Sequence, residues 1–154
     1  MSMRDAITDL LFDYAALIDA GDFEAWLDLF TEDASYRAVP RENFDRGLPV
    51  ALIYCTNKNM LRDRIVSLRE ANEYNFHYDR HLITNVRVRA LAEAEWQVDA
   101  NYAVMQTDME GNSRLFSVGR YQDRVRVEEE RLLFCEKLVV IDNFSVPTLL
   151  ATPL

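Results

Sequence analysis

The chain has 154 residues, enough for one ordinary domain that buries about two thirds of its unfolded surface without disulfide staples. Hydrophobic residues make up 49% and charged residues 28%, with four Gly and four Pro, which excludes a disordered, collagenous or low-complexity chain and leaves nothing for a second domain. A net charge of −9 argues against a general nucleic-acid binder or an anionic-lipid surface, since phosphate needs a positive field.

The first element reads as an amphipathic helix over residues 3–20. Ile7, Leu10, Leu11, Tyr14, Leu17 and Ile18 form one stripe on a 3.6-residue repeat, and Gly21 supplies a left-handed stop. Asp22 is placed to cap a second helix over 23–30, whose aromatic face is Phe23, Trp26, Leu27 and Phe30. Residues 34–39 read as a strand, and 40–49 carry the turn chemistry of a surface loop. A third helix spans about 58–71, with Leu61, Ile65 and Leu68 on one face and Arg62, Asp63, Arg69 and Glu70 on its flanks.

Near His81 the period changes from 3.6 to two. Val86, Val88 and Ala90 alternate with Arg87 and Arg89, and Trp96, Val98, Ala100, Tyr102 and Val104 continue the alternation. Glu110-Gly111-Asn112 and Glu128-Glu129-Glu130 are turns that lead into strands over 115–127 and 132–141. Helices followed by a strand meander give an α+β domain: a curved antiparallel sheet wrapping the helices. Three helices cover only part of such a sheet, so Trp96 and Tyr102 or their strand neighbours are expected near an outer apolar face that favours self-association.

Cys55 and Cys135 belong to no Cys-x-x-Cys pair and read as buried free thiols of a reducing compartment. The start lacks the apolar region of a secretory signal, and no apolar run reaches membrane-spanning length, so a cytoplasmic chain is expected.

Three constellations carry possible chemistry. His77 and His81 flank Tyr78-Asp79-Arg80; on a helix they would suggest a metal site, but at the start of a strand the imidazoles diverge and hydrogen-bonded structural roles are favoured. Tyr14, Asp33 and His81 would form a general-base pocket if the fold brought them to the mouth of the cone, although Tyr14 also fits the core stripe and Asp33 a turn. Arg120, Arg124 and Arg126 share one strand face, flanked by Arg114 and Arg131; this is either a docking face for a carboxylate-rich partner or a solvated edge that resists aggregation. No glycine-rich phosphate loop and no serine or cysteine nucleophile signature is present.

The block Gly21-Asp22-Phe23-Glu24-Ala25-Trp26-Leu27-Asp28-Leu29-Phe30-Thr31-Glu32-Asp33-Ala34 resembles the cone-shaped, cystatin-like nuclear-transport-factor-2-like superfamily. Met60-Leu61-Arg62-Asp63-Arg64-Ile65, then Arg80-His81-Leu82-Ile83-Thr84-Asn85-Val86, with Glu136-Lys137, Asp142 and Thr148-Leu149-Leu150 near the end, resembles the small (beta) subunit of bacterial aromatic-ring-hydroxylating dioxygenases. The resemblance spans nearly the whole chain, residues 1–154 as one beta-subunit domain, and its compact start is similar to the terephthalate, anthranilate and salicylate branch, which implies a carboxylated substrate.

That resemblance implies a division of labour. The alpha subunit holds the Rieske [2Fe–2S] centre and the mononuclear non-haem iron, fed by NADH through a reductase, while the beta subunit holds no cofactor and no catalytic residue. Three alpha and three beta chains assemble, with the beta chains meeting about a threefold axis. Asp63, Arg64, Arg80, His81 and Asn85 are then structural or interface residues, and Arg120, Arg124 and Arg126 the docking candidates. The alternative from another class is a cofactor-free cone-fold dehydratase, isomerase or cyclase with Tyr14, Asp33 and His81 in its pocket.

Overall fold

In the computed structural model, residues 1–48, 51–72, 76–143 and 153–154 are described, with the backbone alone for 68–72. The expected contacts of Leu68, Arg69 and Glu70, and the motif residues Thr148, Leu149 and Leu150, lie outside that description.

Helix α1 (Met3–Ala20) begins at a capping box: the Ser2 hydroxyl accepts from the Asp5 N–H, and the Asp5 carboxylate accepts from the Ser2 N–H. It ends at Gly21, whose φ of 73° is the left-handed stop expected from the sequence. Asp22 caps α2 (Phe23–Leu27) by accepting from the Ala25 N–H. That helix is shorter than the 23–30 expected. Phe30 has already entered strand β1 (Phe30–Pro40), opposite Phe134, and reaches Trp26 edge-on at 4.8 Å from there. The aromatic contact forms, but from an extended backbone.

The stretch expected as an irregular loop contains a short helix, α3 (Arg41–Asp45), followed by the three-residue strand β2 (Ile53–Cys55). Helix α4 spans Lys58–Asn72. The meander then runs β3 (Tyr78–Ala92), β4 (Glu95–Thr107), β5 (Ser113–Glu128) and β6 (Arg131–Ile141), each antiparallel to the next. Strand β3 thus starts eight residues before the first clear alternation at Val86, because its early residues pair with the far end of β4.

The sheet order is β2-β1-β6-β5-β4-β3, and the β1–β6 pair is parallel. The sheet is therefore mixed, not antiparallel throughout. Strand β1 joins a partner about a hundred residues later, a pairing that no local periodicity encodes.

The result is an α+β cone. Its inner face carries the main core, in which Tyr14, Trp26, Phe30, Tyr36, Tyr121 and Phe134 pack together without solvent exposure. Of the residues expected at an outer apolar face, Trp96 and Tyr102 or their strand neighbours, the two aromatics point inward. Tyr102 is buried and stacked on Tyr121 at 4.8 Å, and Trp96 packs against the same core, because both share the inward parity of Val98, Ala100 and Val104. On the outer face, Val39, Leu138 and Val140 are covered by Phe44 of α3 and by Ala51.

Candidate functional site

The cone interior holds buried polar groups among its apolar side chains. Tyr14, on the inward stripe of α1, donates its hydroxyl to the Leu154 carbonyl oxygen at 2.6 Å; Tyr36 of β1 donates to the same oxygen at 3.2 Å. The Leu154 N–H in turn donates to Tyr36 Oη at 3.0 Å. Leu154 is itself buried, so the end of the chain is seated inside the cone on two tyrosines. Burial pushes the Tyr14 phenol well up and the Tyr36 phenol up to about 12, so both remain protonated donors.

Beside them lies a buried ion pair. Lys137 Nζ of β6 donates to Asp123 Oδ2 of β5 at 2.8 Å, and neither side chain has any exposed surface. The ammonium also sits 3.3 Å from the ring centre of Tyr121 and 4.2 Å from that of Tyr14, which supplies cation–π attraction in place of water. Burial raises Asp123 to about 6 and lowers Lys137 to about 8. Asp123 Oδ1 and Tyr121 Oη are buried with no hydrogen-bond partner.

His81 lies inside the cone wall on β3. Its backbone N–H donates to Asp19 Oδ2 at 2.9 Å, and its Nδ1 lies 2.6 Å from Asp19 Oδ1. A carboxylate only accepts, so Nδ1 carries the proton of that bond. Nε2 is buried without a partner. Asp19 thus ties the last turn of α1 to the first residues of β3 by two bonds from one carboxylate.

The three residues grouped by the sequence as a general-base pocket are not brought into one hydrogen-bonded set. Tyr14 is held by Leu154 and Tyr36, and His81 by Asp19. Asp33 is exposed on β1, where it accepts from the Thr31 hydroxyl at 2.7 Å and from Arg126 Nη2 at 2.7 Å. The Thr31 bond, reinforced by Arg126, lowers its carboxyl below the usual range. An Asp–His dyad does exist, but its acid is Asp19. The sequence held a signal for it: an acidic residue in the last turn opposes the helix dipole and needs a tertiary reason. Asp123 and Lys137 carried a similar one, as charges at inward parity between apolar neighbours.

The motif residues divide among separate tasks. Asn85 adopts φ 56° where the β3–β4 register shifts between Thr84 and Arg87; asparagine tolerates this left-handed geometry, so it bends the strand. Arg80 is exposed on the outer face of β3. On α4, Asp63 is exposed and its carbonyl accepts from the Ser67 hydroxyl, while half-buried Arg64 draws down the phenol of Tyr36 electrostatically.

The β5 arginines do share the outer face, yet each is engaged locally. Arg126 bonds Asp33 and Glu128 at 2.7 and 2.6 Å, Arg124 lies 3.8 Å from Glu136, and the Arg120 guanidinium stands 5.2 Å over the Phe44 ring. Of the flanking pair, Arg114 donates to Gln106 and Arg131 to the Asp28 carbonyl.

Among the described residues the side chains that could bind the implied cofactors are dispersed and engaged elsewhere. Cys55 is buried and Cys135 half-buried, on strands β2 and β6, and burial pushes both thiols up, with Cys135 at about 11. The Nδ1 of His81 is committed to Asp19. Among the described residues no group of three or more His, Cys, Asp or Glu is placed to hold a metal, and no helix is long and apolar enough to cross a membrane.

Residues 14–148 match the family model of the ring hydroxylating beta subunit. The chain is 43% identical to the anthranilate 1,2-dioxygenase small subunit of Burkholderia cepacia over 92% of this chain and 88% of that one. It is 30% identical to the terephthalate 1,2-dioxygenase terminal oxygenase component subunit beta 2 of Comamonas sp, over 92% of each. Among solved structures, a protein of Novosphingobium aromaticivorans DSM 12444 described as the beta subunit of an aromatic-ring-hydroxylating dioxygenase superposes with a TM-score of 0.89 at 35% identity, covering 98% of this chain and 96% of that one. The benzoate 1,2-dioxygenase beta subunit of Burkholderia mallei ATCC 23344 shares the fold, with a TM-score of 0.79 at 20% identity over 93% and 92% of the two chains. These matches lead to one conclusion: the chain belongs to the ring-hydroxylating dioxygenase beta-subunit family.

Proposed function

We propose that this chain, folded over residues 1–154 as one domain, is the non-catalytic partner of a cytoplasmic dioxygenase acting on a carboxylated aromatic compound of the anthranilate type. The 43% identity to an anthranilate 1,2-dioxygenase small subunit, extending over 92% of the chain, carries the reading. A small subunit of such an enzyme has a large catalytic subunit as its partner. The Rieske [2Fe–2S] centre and the mononuclear iron belong to that large chain, in an assembly of three large and three small subunits with the small chains in a trimer.

Within that reading Asp63, Arg64, Arg80, His81 and Asn85 serve the shape of the subunit or its interfaces. Arg120, Arg124 and Arg126 are candidates for docking the large subunit, although docking there requires Arg124 and Arg126 to share or exchange their present carboxylates. The cone-enzyme alternative with Tyr14, Asp33 and His81 has less support, since each of the three is engaged by a different partner.

The test is reconstitution. Turnover of anthranilate is expected only when this chain, the large subunit and the electron-transfer proteins are combined. The Arg120→Glu, Arg124→Glu double variant should weaken capture by the large subunit more than tenfold if the stripe docks it, and leave capture unchanged if the stripe is a solvated edge. Loss of turnover in a His81→Ala variant whose complex keeps its composition, iron content and stability would overturn the non-catalytic reading.

A further inference from the structure

Inside the cone, side chains of two distant elements converge on one residue. The Leu154 carbonyl oxygen accepts from the Tyr14 hydroxyl at 2.6 Å and from the Tyr36 hydroxyl at 3.2 Å, and the Leu154 N–H donates to Tyr36 Oη at 3.0 Å. All three residues are buried, so these bonds form out of water. Trp26 packs against both tyrosines, with ring centres 5.7 and 6.2 Å away, and Leu154 joins the same core. Pro153 before it is buried too, and brings no N–H that would need a partner there.

Main-chain groups in a folded chain pair mostly with other main-chain groups. Leu154 is held instead by side chains of α1 and β1, 140 and 118 residues away. The seat has the parts that recognise a single residue: two hydroxyl donors for its carbonyl, an acceptor for its N–H and an apolar, aromatic surround for its side chain. Burial keeps both phenols protonated, and the positive charge of Arg64, close enough to draw down Tyr36, favours an oxygen acceptor at this place.

We propose that the cone contains a binding site for a leucyl residue, filled in cis by Leu154, and that this built-in occupant closes the interior to free ligands. The ligand class is a short peptide in which leucine follows proline, its N–H and C=O engaged by the tyrosines and its side chain in the core. The proline restricts the peptide before it binds, so less freedom is lost on seating. A tethered occupant competes at an effective concentration in the millimolar range, so a dilute free peptide does not displace it. The proposal goes beyond the subunit assignment and stands without it: whatever the chain's partners, Tyr14 and Tyr36 meet a free molecule only when Leu154 has left.

The Leu154→Asp variant of the full chain tests it, since a carboxylate is costly to bury in an apolar seat. Its Tm should fall by about 5 °C or more. The peptide acetyl-Ala-Thr-Pro-Leu, which copies residues 151–154, should bind this variant saturably by calorimetry, with a Kd at or below about 1 mM, and should not bind wild type in that range. Acetyl-Ala-Thr-Pro-Asp should bind the variant at least tenfold more weakly. Adding Tyr14→Phe and Tyr36→Phe to the variant should weaken the leucine peptide at least tenfold, for the hydrogen bonds lost. If Leu154→Asp unfolds the chain, the leucine peptide in excess should restore its circular dichroism by mass action. Where the added tyrosine changes prevent folding, the comparison of the two peptides decides. A leucine peptide that binds wild type as tightly as the variant, or that neither binds nor refolds the variant, would overturn the proposal. Equal binding of the two peptides, or a folded tyrosine variant that binds as before, would do the same.

Discussion

Replacing Lys137 by Met leaves the Asp123 carboxylate buried with nothing to offset it. At 2.8 Å and an effective dielectric constant near 20, the attraction between the pair is about 6 kcal/mol, set against a desolvation cost of several kcal/mol for each ion. The intact pair therefore contributes little net stability, whereas breaking it is expensive. Lys137→Met should destabilise the chain by about 3–5 kcal/mol, since Asp123 Oδ1 already lacks a partner and Oδ2 would join it. For a chain of this size that lowers Tm by roughly 10 °C. Asp123→Leu alone should cost a similar amount, stranding the ammonium among the rings of Tyr14, Tyr121 and Phe134. The Asp123→Leu, Lys137→Met double variant should return to within about 1 kcal/mol of wild type or exceed it. Urea unfolding followed by the fluorescence of Trp26 and Trp96, at one fixed protein concentration, supplies the cycle. If the double variant loses the sum of the two single losses, the two side chains do not act as a pair and the reasoning fails.

The same pair sets a pH dependence. Between about pH 4 and 6 native Asp123 keeps a proton that the unfolded chain has released, so its contribution to stability falls as pH rises; between about 8 and 10 unfolded Lys137 keeps a proton that the native one has lost, so stability rises again. Unfolding midpoints of wild type minus the double variant should pass through a minimum between about pH 6 and 8, and a flat difference would contradict this. Gly119→Ala should destabilise by about 3 kcal/mol or prevent folding, because its Cβ would lie 2.0 Å from the Val140 carbonyl oxygen; expression and melting check it. Glu129 and Glu130 both hold positive φ, 50° and 65°, in the two-residue turn between β5 and β6, so Glu129→Asn with Glu130→Gly should stabilise by about 1 kcal/mol in the same urea assay. Asp19→Ala removes two bonds to His81 and should cost about 2–3 kcal/mol, while turnover per assembled complex stays at the wild-type value.

The local elements of this fold were legible in the sequence because their signals are local. The α1 stripe, the Gly21 stop, the Asp22 cap and the alternation in β4 each depend on residues within a turn or two. The family was legible in short blocks such as residues 60–65 and 80–86, and residues 14–148 match its model. What failed was whatever needed a partner far away. Phe30 reads as helical until Phe134 stands opposite it, and β1 shows nothing of its parallel neighbour. Trp96 and Tyr102 could be assigned to one face but not to the inner one, since alternation fixes which residues share a side and only the packing of α1 and α2 decides which side is dry. Asp33 reads as a partner of His81 if both face the mouth of the cone, whereas Asp19 holds His81, because the distance between a helix end and a strand start is set by the closure of the whole cone. The charge of β5 looked free for the same reason: its carboxylate neighbours Asp33 and Glu136 come from other strands, and sheet register alone put them within reach.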